Sequence, residues 1–309
     1  MTWGRMGMLL LACLVSAGCG DQEPVKKIDL STREEITPIK PPPTITYAYL
    51  PQYSHTVSYQ RHHMLTEYLT RATGLTVRQV FPDTFDEHMN MVGRGEIDIS
   101  FSNPFIYVKI ADRYGARAFA RVVETAGQVN FRGQIICRDD NPEIKTVADL
   151  RGKRLIAVDP TSAGGFLYPW AWIMENGLKK EDFAEIAFAP GPGGKQEKVV
   201  MAVYSGKFDA GTIREGTLDL LADKIDLSQI RVLAHSRWYP GWVYSARRDL
   251  DPGTVESIKQ ALVALDPDRP EHKDILLNAV FAKVIASQDA DFDPVRRLGA
   301  TTTQADLYR

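Results

Sequence analysis

The sequence predicts an α/β protein of two lobes, each a mostly parallel sheet flanked by helices. Three observations carry that expectation. From Thr44 onward, short runs rich in β-branched and aromatic residues alternate with longer segments of helical spacing, the pattern of strands covered by helices. The same alternation resumes beyond Cys137. Residues 91–100 are also echoed by residues 202–211: in each, a helix end is followed by glycine, a free position, an apolar residue, aspartate and a further apolar residue. Two similar lobes facing one another would leave such an echo, as would a common helix-to-strand connection.

Taken in order, residues 44–50 read as a strand and 55–74 as a helix that Gly74 closes in a left-handed conformation. Residues 76–81 follow as a strand, and Thr84 caps a helix running to Gly93. Residues 97–101 form the next strand, and Pro104 opens a helix at a position where its missing N–H costs nothing. Gln134-Ile135-Ile136-Cys137, apolar but for its first residue, reads as a buried strand, so the Cys137 thiol is either a small hydrophobe or a lone soft ligand. Beyond it come strands at 155–158, 208–213 and 231–235, with helices at 165–176 and 195–205.

The chain has 309 residues, 44% hydrophobic and 25% charged, with a formal net charge of −2. That length suits two domains and an ample core. The balance excludes a disordered or collagen-like chain and leaves no basic footprint for nucleic acid. A single long apolar run stands at the N-terminus, behind Arg5. Residues 6–17 are fewer than the ~20 a spanning helix needs, and read as the core of a secretory signal. Val15-Ser16-Ala17-Gly18-Cys19 resembles a bacterial lipobox, in which Cys19 is lipidated; a plain cleaved signal peptide is the alternative. Both export the chain. Residues 1–18 are thus assigned to the signal peptide. Residues 19–43, ending in Pro41-Pro42-Pro43, form an extended tether that holds the folded part off a membrane in the periplasm.

The stretch Asp159-Pro160-Thr161-Ser162-Ala163-Gly164-Gly165 carries the most chemistry. A strand ends at Val158 and a helix opens near Gly165, so unpaired N–H groups gather beside two hydroxyls and two residues without side chains. That is either an anion site or an ordinary Ser/Thr helix cap. Ligands of α/β sheets sit beyond the carboxyl ends of strands, which brings residues 101–103 and 212–214, just past each echo, into a shared cleft.

Here the sequence resembles the phosphonate- and phosphite-binding periplasmic proteins of ABC importers. Their loop has the form Asp-Pro-x-Ser-Thr-Ser-Gly followed by Phe-Leu-x-Pro, matched by Asp159, Pro160, Ser162, Gly165, Phe166, Leu167 and Pro169. Asp149-Leu150-Arg151-Gly152-Lys153, Gly206-Lys207-Phe208-Asp209 and Tyr239-Pro240 extend the likeness, which covers roughly residues 44–247. The resemblance implies a type II periplasmic-binding fold, with lobe 1 at 44–132 and 242–309, lobe 2 at 133–241, and two crossing segments as a hinge. It implies a binding protein without catalysis, cofactor or metal, serving a membrane transporter. Three departures stand out. Ser162-Ala163-Gly164 replaces Ser-Thr-Ser, Gln196 stands where many members have histidine, and Ser102 where tyrosine is frequent.

The expected ligand contacts are Tyr53, Ser102, Asn103 and Tyr107 from one lobe, and Thr161, Ser162, Gly164, Gly165, Gln196, Asp209, Arg214 and Tyr239 from the other. Asp209 either accepts a hydrogen bond from the ligand or caps its own loop. The leading ligand is a phosphonate-like oxyanion. The missing hydroxyls and the aromatic residues near the strand ends, Phe101 and Trp242 among them, point to a bulkier apolar ligand as the alternative, and a membrane sensor is the alternative partner. Other signals fail on geometry. His62 and His63 point to different helix faces, residues 191–195 lack the spacing of a phosphate loop, and Ser162 has no nucleophile elbow.

Overall fold

A computed structural model describes residues 44–191 and 195–301. Residues 1–43, on which the expected signal peptide, tether and lipidated Cys19 fall, lie outside the described residues. The first half runs β1 (Thr44–Tyr49), α1 (His55–Thr73), β2 (Thr76–Gln79), α2 (Phe85–Gly93), β3 (Ile99–Ser102), α3 (Pro104–Tyr114) and β4 (Arg117–Val123). The chain then crosses through β5 (Asn130–Phe131) into β6 (Gly133–Arg138), β7 (Arg154–Ala157), α4 (Tyr168–Glu175), β8 (Glu185–Phe188), α5 (Lys195–Tyr204), β9 (Ala210–Arg214) and β10 (Ile230–His235). It returns through β11 (Tyr239–Pro240) to β12 (Val243–Ala246), α6 (Pro252–Val263), α7 (Pro270–Ala279), β13 (Lys283–Ala286) and α8 (Asp293–Thr301).

Local chemistry sets the boundaries. Ser54 accepts the Val57 N–H at 3.4 Å to start α1, and Gly74 ends it at φ 72°, a conformation costly for residues with a side chain. Thr84 accepts the Glu87 N–H at 3.0 Å at the head of α2. Asn103 takes the N–H groups of Phe105 and Ile106 at 2.9 Å each, with Pro104 behind it, to start α3.

Two sheets result. The six-stranded sheet has the order β13-β4-β12-β3-β1-β2 and the five-stranded sheet β10-β6-β9-β7-β8. Strand–helix alternation predicts parallel pairs, and these are β3-β1, β1-β2, β9-β7 and β7-β8. The remaining pairs are antiparallel, for a topological reason. Each time the chain enters a sheet from the other half it does so from the opposite end. Thus β12 runs against both β3 and β4, and β6 against both β9 and β10. The crossing strands β5 and β11 pair with each other as a two-stranded antiparallel ribbon.

The five-stranded sheet is covered on both faces. Ile135 and Cys137 pack with Phe166 and Trp170 on one side, and Ile136 with Val199, Val200 and Val203 on the other. Burial pushes the Cys137 thiol up, consistent with a packed hydrophobe rather than a thiolate ligand. On the six-stranded sheet Tyr47, Leu65, Ile106, Tyr244 and Phe292 are fully buried. His62 is buried against Tyr47, whose hydroxyl lies 2.8 Å from its Nδ1. His63 turns away, its Nδ1 3.0 Å from the Gln60 carbonyl. Among the described residues no helix is long and apolar enough to cross a membrane.

Candidate functional site

The echo noted in the sequence is a repeated clamp. Asp98 Oδ2 accepts the Thr46 N–H at 2.8 Å, and the Asp98 N–H donates to the Thr46 carbonyl at 3.1 Å. Asp209 Oδ2 accepts the Arg154 N–H at 2.8 Å, and its N–H donates to the Arg154 carbonyl at 3.1 Å. Each aspartate pins the first residues of the neighbouring parallel strand. Asp209 is therefore at the amino end of β7 and β9, away from the carboxyl ends where the cleft lies. Of its two readings, the capping one describes its place.

The loop after Val158 spends its polar groups internally. Thr161 donates through its hydroxyl and N–H to Asp159 Oδ1 at 2.7 and 2.9 Å, while Lys195 holds Asp159 Oδ2 at 2.6 Å. Ser162 Oγ accepts the Gly165 N–H at 3.2 Å, and the Gly165 carbonyl accepts the Thr212 hydroxyl at 2.7 Å. The helix predicted from Gly165 begins instead as a π-helical turn, Ala163–Leu167, before α4. Its glycines admit protein: a Cβ on Gly164 would lie 2.7 Å from the Phe131 ring, and one on Gly165 2.4 Å from the Val158 side chain. Residues 161–165 are buried. As they stand, Thr161, Ser162, Gly164 and Gly165 are a helix cap and a packing surface.

Three more expected contacts are committed elsewhere. The Tyr107 hydroxyl donates to Asp289 at 2.5 Å and accepts the Ala118 N–H at 3.1 Å, and burial raises its pKa. Tyr239 stacks on Tyr168 with ring centroids 4.2 Å apart in the crossing ribbon. Asn103 caps α3 and reaches across to the Thr161 carbonyl at 3.4 Å. Ser102, fully buried at the end of β3, has a hydroxyl with no partner among the described residues.

The open space lies beside that loop. A cavity of about 280 Å³ stands at the carboxyl ends of β1, β3, β4 and β9. Tyr49, Phe101 and Trp242 form its aromatic wall, with Tyr53 and Phe281 at its sides. Phe101 lies 5.6 Å from the Tyr49 ring and 5.2 Å from Trp242, centroid to centroid. Arg214 at the end of β9, Gln196 on α5 and Thr217 in the turn after β9 enter from the half that holds the five-stranded sheet. The Arg61 guanidinium sits 4.0 Å above the Tyr53 ring. Of the expected contacts, the fold brings Tyr53, Gln196 and Arg214 together here.

Arg214 is the central charge. Its guanidinium pairs with Glu124 at 2.5 Å, joining the two halves, and lies 5.2 Å from the Phe131 centroid. Burial opposes its charge, yet Glu124 beside it raises its pKa above the ordinary guanidinium value. Gln196 Oε1 accepts the Arg214 N–H at 2.9 Å and fixes the end of β9. Glu124 Oε1 and Trp242 Nε1 are buried without a partner among the described residues. Glu124 and Arg61 escaped the sequence reading. The segment 117–123, Ala, Phe and Val broken by Arg117 and Arg121, is a signal for the first, since recognising it as a strand places Glu124 at a carboxyl end. Arg61 is one of three charged residues along α1, with Glu67 and Arg71, and carries no such mark.

The family described as "ABC transporter, phosphonate, periplasmic substrate-binding protein" matches residues 47–292. The chain belongs to this family. Among curated relatives, the phosphate-import protein PhnD of Mycolicibacterium smegmatis is 29% identical over 227 residues, covering 71% of this chain and 70% of that one. A binding component of an ABC phosphonate transporter from Pseudomonas aeruginosa superposes with a TM-score of 0.73 at 18% identity, covering 84% of this chain and 87% of that one. PhnD1 of Prochlorococcus marinus, solved with methylphosphonate, gives a TM-score of 0.72 at 16% identity, covering 84% and 97%. A Xanthomonas citri protein solved with ATP gives 0.71 at 16% identity, covering 84% and 96%. This phosphonate-binding-family protein thus shares the two-lobed periplasmic-binding fold, and family members are binding components of transporters rather than enzymes.

Proposed function

We propose that the protein is an exported solute-binding lipoprotein, anchored through Cys19, that captures an organic phosphonate or phosphate between two lobes and hands it to an ABC permease. The lobes are residues 44–132 with 242–309, and 133–241, and the β5–β11 ribbon is the hinge between them. The observation that carries the ligand class is Arg214, a cation facing a cavity with an aromatic wall. A guanidinium suits a tetrahedral oxyanion, and the wall of Tyr49, Phe101 and Trp242 suits a carbon substituent. The anion is met by arginine in the cavity rather than by the hydroxyls after Pro160. That shift gives room for a ligand larger than the smallest phosphonates. The relatives named for phosphonate and phosphate support the same class.

Thermal-shift and calorimetric titration of the purified protein test this. Methylphosphonate, phenylphosphonate and inorganic phosphate should raise the melting temperature in a saturable manner, with the aryl compound binding at least as well as the methyl. Stabilisation by uncharged apolar compounds alone would replace the oxyanion reading with the apolar one.

A further inference from the structure

We propose that Arg61 is a further anion-binding residue: its guanidinium supplies the net positive charge of the cavity, while Arg214 supplies directed N–H donors. This rests on the reading that the anion binds in the cavity at Arg214. Five charged side chains line that cavity: Arg61, Glu124, Arg214, Glu215 and Asp219. Glu124 lies 2.5 Å from Arg214, so beyond the pair itself the two charges cancel. Glu215 Oε1 accepts two N–H groups of Arg132 at 2.9 and 2.7 Å, and His235 Nε2 stands 3.5 Å from the same oxygen. Asp219 is exposed, where water and salt screen it. Arg61 is half-buried and has no carboxylate at ion-pair distance among the described residues.

The fold holds this cation in place without neutralising it. Side chains on a helix lean toward its N-terminus, so Arg61 reaches back along α1 to Tyr53, which precedes the Ser54 cap. There the guanidinium lies 4.0 Å from the ring centroid. An aromatic face attracts a cation but carries no charge to cancel it. Burial, with Tyr53 beside it, pushes the Tyr49 phenol up, and Arg61 and Arg214 both pull against that rise. Both guanidiniums therefore act on one phenol of the cavity wall. An oxyanion near that phenol meets the unspent charge of Arg61, and two planar forks suited to its oxygens. Without Arg61 the lining keeps only cancelled or screened charges, and an anion gains little there over a neutral molecule of the same shape.

The test is calorimetric titration of phenylphosphonate into the full-length protein and its Arg61→Gln, Arg61→Lys and Arg61→Glu variants, with the ligand-free melting temperature measured alongside. Arg61→Gln should weaken binding roughly 30-fold or more, the loss of a charge-assisted contact. Arg61→Lys keeps the charge but not the fork, and should stay within about fivefold of the wild type. Arg61→Glu should abolish saturable binding. None should move the ligand-free melting temperature by more than about 3 °C, since the side chain is half-buried on a helix. Wild-type affinity in any folded Gln or Glu variant overturns the proposal and leaves the Arg214 reading standing. An Arg61→Lys as weak as Arg61→Gln overturns it too, because charge would then not be what binds. Affinity lost only together with melting temperature assigns Arg61 to structure instead. A wild type that binds no phenylphosphonate removes the Arg214 reading itself, and this inference with it.

Discussion

The loop after Pro160 and the cavity next to it are built from the same kinds of group, yet only one of them has chemistry left over. In the loop, the Thr161 and Ser162 hydroxyls, the Asp159 carboxylate and the Gly165 carbonyl all find partners within the protein. At the cavity, the Arg214 guanidinium faces open space with Glu124 as its paired carboxylate, and behind the wall Glu124 Oε1 and Trp242 Nε1 are buried without a partner among the described residues. The contrast teaches that a donor inventory read from sequence locates a candidate. Satisfaction of those donors decides whether they are available to a guest.

The hardest blow to this contrast is Arg214→Ala. It should weaken oxyanion binding by about 2–5 kcal/mol, because a buried charge pair loses one member and the ligand loses its cation. Calorimetry checks this, and unchanged affinity would return the site to the loop. Acid strikes next, from behind the aromatic wall. His62 lies 4.4 Å from the Tyr49 ring, and burial pushes it down to about 3; burial does the same to His88. Both are held neutral when folded, so the unfolded chain takes up protons first as pH falls below about 6.5. Stability is therefore full above that pH and is lost on the way down toward 3. Each histidine removes about 2 kcal/mol by pH 5, read from urea midpoints. His62→Gln should flatten part of that slope.

Smaller changes sharpen the loop's side. Gly165→Ala places a Cβ 2.4 Å from Val158 and should cost about 1–3 kcal/mol of stability by denaturant unfolding. A loop that reserved its space for a ligand would tolerate the methyl. Ser162→Ala removes a helix cap and should cost about 1 kcal/mol of stability while leaving anion affinity unmoved. A fall in affinity without a fall in stability would restore the hydroxyl as a ligand donor.

Legibility in the sequence followed the range of the interactions. Thr84, Pro104 and Gly74 act locally, and they mark helix ends to within a residue or two; the cap at Asn103 emerges only from the fold. The clamp aspartates announced themselves through repetition. The strand β4 went unread and, with β12 and β13, joins its sheet through antiparallel pairs with segments distant in sequence, a constraint that alternation alone does not express. In the sequence, Gly164 and Gly165 are two residues without side chains beside a candidate anion site. What fills them, Phe131 and Val158, is fixed by tertiary packing. Arg214 and Gln196 were found because they follow a strand or open a helix; Glu124 was lost together with the strand it follows.

The β5–β11 ribbon has one more consequence. Its Phe131 touches the turn at Gly164 and lies against the Arg214 guanidinium. A twist of these two short strands would act as a crankshaft, carrying ring, turn and cation together. Parting the two sheets there would also part the Arg214 guanidinium from its counterpart at Glu124, so the ribbon and that ion pair report on the same displacement.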